Sequence, residues 1–381
     1  VLRAGVALLA GAPAFAGGRS ARWIGYTELR TDRPGGRHAN IATMRACMIR
    51  MDGSGRRLLA PSLTQEPDSW TQFSGWSPDG RMAIIGRGWE RPSNAAWEEE
   101  HREFRFNEDW LYDMFLLDVR SGKLANMTAI ERVSGYNTGL FFWPGDPKSL
   151  GFQALIGGNS HPFRMDADGT HKRDLTAGSQ EFAYGFGASP DGGRIAYHKN
   201  YRIFIADGDG SNAKPVETGQ PFNFSPQWSP DGQWIVFVSG EHYNCHPYAV
   251  RRDGSGLRKI GDRQGYSGVT PFLDVPDFHG GSSDVPVWSP DGKWIYYTAQ
   301  FGRSVELMRG SLEGAIERLT HSPEETFYYH PHPLEEGASV LAGCRTEGVR
   351  QFAIVPIGDG GPRAVTHMRH GHAALWPWVR P

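Results

Sequence analysis

The pentapeptide "WSPDG" occurs three times, at Trp76–Gly80, Trp228–Gly232 and Trp288–Gly292. Its last three residues favour a tight turn for separate reasons. Proline presets φ, aspartate caps nearby backbone N–H groups, and glycine accepts the left-handed conformation. Each copy precedes a run rich in β-branched and aromatic residues: "RMAIIG" (81–86), "QWIVFV" (233–238) and "KWIYYT" (293–298). Two variants extend the series, "ASPDGGRIAY" from Ala188 and "WPGDPKSLGF" from Trp143. A second marker, a turn with Gly and mostly Asp, follows at 51–59, 117–128, 165–176, 205–216, 251–260, 309–320 and 357–366. The repeat length, roughly 40–48 residues, suits a unit of four short antiparallel strands.

One such unit leaves both sheet faces exposed, so units must stack radially to build a core. Seven second markers predict seven blades. "RWIGYTEL" (22–29) reads as a second strand and "HAALWPW" (372–378) as a first strand. The predicted fold is therefore an all-β, seven-bladed β-propeller of four-stranded antiparallel blades, with the C-terminal strand completing the N-terminal blade. The repeats resemble those of TolB-type propellers over essentially the whole chain beyond the N-terminus. That resemblance implies an exported protein that binds a partner; the fold alone assigns no activity.

The 381 residues include 49 Gly and 26 Pro, as many short strands and turns require. The net charge of −2 gives no general pull toward nucleic acid or anionic membrane. Arg3, the apolar run 4–9 and Ala14-Phe15-Ala16 read as an export signal over residues 1–16, leaving one domain over 17–381. No other apolar run is long enough to span a bilayer, and the expected location is periplasmic or extracellular. Cys47, Cys245 and Cys344 form no Cys-x-x-Cys motif, and an odd count leaves at least one thiol unpaired within the chain. The chain is expected to be a monomer.

A propeller has two rims. The Pro-Asp-Gly and Asp-Gly turns share one, and the other carries the long insertions 31–40, 88–110, 157–162, 239–247 and 263–284. Long loops on a rigid scaffold are where binding and chemistry concentrate. Of 14 histidines, only His171 falls in an opposite-rim turn. Trp97, His101 and Phe104 recur at i, i+4 and i+7, which predicts a short amphipathic helix covering that rim. "DADG" (166–169) and "DGDGSN" (207–212) echo calcium loops but lack the downstream Glu, so they read as turns.

"FYYHPHP" (327–333) stands where an inner strand is expected. Residues i and i+2 on a strand face the same way. His330 with His332, and His370 with His372 one blade later, could therefore each present paired imidazoles to one ion. The preceding blade offers His279 and Asp284. The competing reading is packing of these histidines against Tyr328 and Tyr329. Locally, "HPHP" after "HGGSSDVPVWSPDG" and "SGEHYNCHP" resembles the oligogalacturonate lyases, propellers that hold a divalent metal. The resemblance implies His330, His332 and His279 as ligands and His242 or His246 as base. It departs at Phe327, where those lyases have Gln. It further implies one divalent ion (Mn, Zn or Ca) and β-elimination on a uronate. Arg33 and Arg37 could clamp the uronate carboxylate. His38, Trp97 and Tyr328 would complete the substrate surface. Two functions follow: binding of a protein or an acidic oligosaccharide on the histidine-rich face, or metal-assisted lysis of acidic oligosaccharides.

Overall fold

The computed structural model describes residues 22–105, 108–241, 244–278, 281–334 and 337–381. The expected leader, His242 and His279 lie outside these. The described residues form an all-β protein with two short α-helices, 36–41 and 92–101.

The repeated pentapeptide builds its hairpin as its chemistry dictates. Ser77 Oγ donates to Asp79 Oδ1 (2.6 Å) and accepts from the Met82 N–H (2.8 Å), while Gly80 adopts φ +65°. The same exchange recurs at Ser189/Asp191, Ser229/Asp231 and Ser289/Asp291. The tryptophan does a different job. Trp76 Nε1 donates to the Trp378 carbonyl, Trp228 Nε1 to Gly187 and Trp288 Nε1 to Gln227. Each indole thus ties its own unit to the inner strand of the unit before it.

Strand pairing follows one pattern. Strands 69–76, 82–90, 110–118 and 124–126 form an antiparallel meander. Equivalent meanders begin at Tyr136, Ala183, Phe222, Val287 and Phe327. Strand 372–379 pairs antiparallel with 23–30, which leads into 45–50 and 57–58. Numbered in chain order, with 372–379 inner in the first, these are the units used below. Their cores also follow chain order. Met48 packs with Phe73, Ile84 with Phe152, Ala183 with Trp143, Ile205 with Phe237, Val236 with Ile295, Tyr296 with Tyr328, and Phe352 with Tyr26. Tyr26 and Phe352 meet edge to face at 5.7 Å.

Within a unit the outermost strand is held by its threonine. The Met114, Leu307 and Phe352 N–H groups donate to Thr128, Thr320 and Thr366 Oγ1. The Asp-Gly markers are turns, as expected: Asp168 Oδ1 accepts from the Thr170 N–H and Asp209 Oδ1 from the Ser211 N–H.

Candidate functional site at His330

Most inner strands share a break. Their pairing slips by a bulge. At the slip, four residues before the turn, Gly139, Gly185, Ser225, His330 and Trp376 have φ of +63°, +63°, +56°, +48° and +55°. Glycine takes this conformation at no steric cost, whereas a bulky L-residue is strained there. Bulges re-aim side chains, and strained residues concentrate at functional sites. The seventh and first units are neighbours, and both place a large ring at this position.

The insertion 263–284 packs against both of these units. Its residues 269–270 and 282–283 pair as a small ribbon. Phe272 and Leu273 bury themselves with Leu29, Tyr329 and Leu375. The Asp274 carboxylate accepts from Thr31 Oγ1 and from both Arg350 Nη atoms (3.1 and 2.8 Å), linking the first and seventh units. Ser282 is thereby delivered to both bulge residues. Trp376 Nε1 donates to Ser282 Oγ (2.8 Å), which lies 3.0 Å from His330 Nε2. The hydroxyl accepts from the indole and shares one proton with Nε2, in a direction set by the imidazole tautomer. His330 Nδ1 is buried with no hydrogen-bond partner among the described residues.

Asp284, 2% exposed, sets the backbone. Its Oδ1 accepts from the His330 N–H (2.8 Å) and its Oδ2 from Thr298 Oγ1. The Asp284 carbonyl accepts from Arg263, which is fully buried and also donates to Thr298 (2.9 Å). The carboxylate holds the histidine main chain rather than its ring, so Ser282, His330 and Asp284 are not a nucleophile–base–orienter relay. Burial lowers the His330 pKa, against the pull of Asp284, and pushes His332 down to about 4. Both are neutral imidazoles at pH 7.

The bulge alters the expected His-x-His geometry. Residues 330 and 331 fall in the register slip, so His330 and His332 do not alternate as on a regular strand. His370 is exposed in the turn before its strand, and His372, which opens the strand, has its Nδ1 3.2 Å from the His370 carbonyl. Strand geometry therefore does not pair these two either. Among the described residues no three His, Cys, Asp or Glu side chains converge as a metal site. A third ligand would have to come from outside them.

Other expected residues lie elsewhere. Tyr328 is 2% exposed, packed between the sixth and seventh units, and offers no sugar surface. Arg37 is 1% exposed, with Nη2 2.9 Å from both Glu90 Oε1 and Glu98 Oε2, so it joins two helices and a strand instead of clamping a ligand. His38 bridges Glu90 (3.3 Å) and Asp68 (3.1 Å); these carboxylates raise its pKa against the opposing effect of burial. Arg33 is exposed at the loop tip. Helix 92–101 buries Asn94, Ala95 and Glu98, not the predicted face. Trp97 is half-buried, stacked on His101 (4.2 Å) and beneath Arg105, and Phe104 is exposed.

His246 occupies a repeat position. The Ile260 N–H bonds the Pro247 carbonyl as the Leu175 N–H bonds that of Pro162, which puts His246 in register with His161. His246 Nδ1 accepts from the Arg263 N–H (3.2 Å), and His161 Nδ1 meets Asp174 (2.9 Å). Both histidines brace an outer strand. The shared "HP" at 161–162 and 246–247 was the signal for this. Sequence reading missed Ser282, Trp376 and Arg263.

No protein-family model matches the chain. The Tol-Pal system protein TolB of Hydrogenovibrio crunogenus is 34% identical over 71 residues, 19% of this chain and 16% of that protein. TolB of Acinetobacter baumannii superposes with a TM-score of 0.52 at 13% identity, covering 96% of this chain and 68% of that one. An oligogalacturonate lyase solved with manganese gives 0.50 at 12% identity, covering 70% and 71%. The chain spans less than half the length of the curated relatives it matches. The architecture is a TolB-like propeller. It also resembles that of the oligogalacturonate lyases.

Proposed function

We propose that this protein is an exported, seven-bladed propeller, its ring closed by 372–379 on 23–30, that binds a protein or polysaccharide ligand at the His330 site. Cleavage near Ala16 would leave one domain, 17–381, acting as a monomer in the periplasm or outside the cell. The observation that carries this reading is the pair of strained rings. His330 and Trp376 stand in the left-handed position that glycine fills in two other units, and both meet Ser282 from the insertion 263–284. Strain of this kind persists where the surroundings enforce it for use. The short sequence likeness to TolB supports a binding role.

The test is photo-crosslinking in the native host from a benzophenone amino acid placed at exposed Arg33 or Phe104 on the insertion-bearing rim, or at Lys293 on the opposite rim. Adducts from the first rim alone support the reading. Adducts from Lys293 alone overturn it.

A second reading is a metal-dependent lyase of acidic oligosaccharides. It is favoured by the unpaired His330 Nδ1 and by two histidines already neutral, the form that ligates metals. His330 and His332 would hold the ion, and the ion would polarise a uronate carboxylate. Elemental analysis after incubation with Mn2+, Zn2+ or Ca2+, then a trigalacturonate assay for unsaturated products, tests it. Protein that retains no metal removes it.

A further inference from the structure

The fourth unit turns between its second and third strands through Asn200 and Tyr201, flanked by the Lys199–Arg202 pair. Both have positive φ, +46° and +60°. A two-residue turn of this kind favours Asn followed by Gly. The third unit obeys, with Gly157-Gly158, and the seventh places Gly348 second. Here a tyrosine takes the strained second position, and its ring is 53% exposed.

The ring is not alone. Tyr201 lies 4.9 Å from Phe222, and Phe182 stacks on Tyr184 at 5.9 Å; both Phe182 and Tyr184 are also exposed. The backbone brings these pairs side by side. The Asn200 N–H bonds the Phe182 carbonyl, and the Asn223 N–H bonds that of Tyr201. Exposed aromatic clusters on a soluble surface mark interaction sites.

The charges around the rings are spent on each other. Lys199 pairs with Glu181 (2.6 Å) and Arg202 with Glu217 (2.9 Å), while Asn200 Nδ2 donates to Glu181. Both cations flanking the turn are thus paired, and Gln180 and Gln220 lie two residues from Phe182 and Phe222 in the sequence. Flat rings offer their faces to the axial C–H groups of sugars, and amides suit sugar hydroxyls.

We propose that Phe182, Tyr184, Tyr201 and Phe222 form a second site, an aromatic ledge that stacks an uncharged pyranose oligosaccharide. It shares the insertion-bearing rim with the His330 site but uses none of its residues.

The test is calorimetric titration of the whole protein with cellohexaose and with hexa-N-acetylchitohexaose. Wild type is expected to bind at least one with a Kd of about 1 mM or tighter. Tyr201→Gly, which places the favoured residue in the turn, is expected to keep Tm within about 3 °C and weaken binding at least tenfold. Tyr201→Phe is expected to bind within threefold of wild type. Failure of both sugars to bind wild type overturns the ledge, as does undiminished binding by Tyr201→Gly. A concentration-dependent dimer that Tyr201→Gly dissolves, seen by sedimentation without sugar binding, would assign the rings to a second copy and also overturn it. Wild type that binds neither sugar while its rim crosslinks persist sinks the ledge and spares the His330 reading.

Discussion

Arg37 should be a keystone of the fold. Its Nη2 divides between Glu90 and Glu98, both fully buried, and Asn94 Nδ2 lies 3.1 Å from Glu90 Oε1 and 3.5 Å from Glu98 Oε1. Its guanidinium also covers Trp110 at 5.3 Å. Arg37→Met keeps much of the side-chain volume and removes the charge. Breaking a buried pair from one side costs about 3–5 kcal/mol, because the abandoned carboxylates stay desolvated. The structure leaves one relief. Burial already pushes Glu98 up to about 7, against the Arg105 N–H and Arg37, which lower it. A carboxyl raised in the folded state favours folding below its unfolded pKa and loses that contribution as pH rises through about 7. The penalty for Arg37→Met should therefore be about 3–5 kcal/mol at pH 8 and should shrink by about 1.4 kcal/mol at pH 5.5, the worth of the one pH unit between 8 and the Glu98 value of about 7. Urea melts followed by tryptophan fluorescence at the two pH values measure this. Urea is preferred because guanidinium would screen the charges. A penalty under about 1 kcal/mol at pH 8, or one independent of pH, would refute the reasoning and return Arg37 to the pool of free ligand-binding groups.

His330→Gly places the conformationally favoured residue in the bulge; Tm should hold or rise, worth up to about 1 kcal/mol, while crosslinking at the insertion-bearing rim falls. Asp284→Ala orphans the His330 N–H and the Thr298 hydroxyl, and a urea melt should show a loss of about 1–3 kcal/mol or more. His198 and His332 are held neutral by burial, each lowered to about 4. The unfolded chain binds more protons between that value and about 6.5, so stability should be fully present above pH 6.5 and fall as pH drops toward 4. The loss should be at most roughly 3 kcal/mol for His198 and less for half-buried His332, and His198→Gln should flatten the slope in acid melts.

The hairpin chemistry was legible because it is local. Ser77, Asp79 and Gly80 satisfy one another within four residues, so the string carries the turn wherever it occurs. His330 was legible as an exception to the repeat. Its conformation was not, because a bulge is decided by how one strand slips against its neighbour. Ser282 and Trp376 were missed because Ser282 meets His330 across 48 residues of chain and Trp376 meets Ser282 across 94. Helix 92–101 was assigned to the wrong face for a related reason. Aromatic spacing pointed to Trp97, His101 and Phe104, but the buried guanidinium of Arg37, expected as a carboxylate clamp for a ligand, draws in Glu98 and turns that face inward. Tyr328 fails similarly: its partners come from the adjacent unit.

Strand 23–30 finds its inner neighbour only in 372–379, with Arg30 Nε bonded to a carbonyl 341 residues away. During synthesis that strand must wait, one edge bare, until residues 372–379 have left the ribosome. Every other unit draws its four strands from one continuous stretch and can assemble as it emerges. The chain therefore carries a built-in delay. Until strand 372–379 arrives, strand 23–30 keeps an edge open to foreign strands, which is where a chaperone would act and where aggregation would begin.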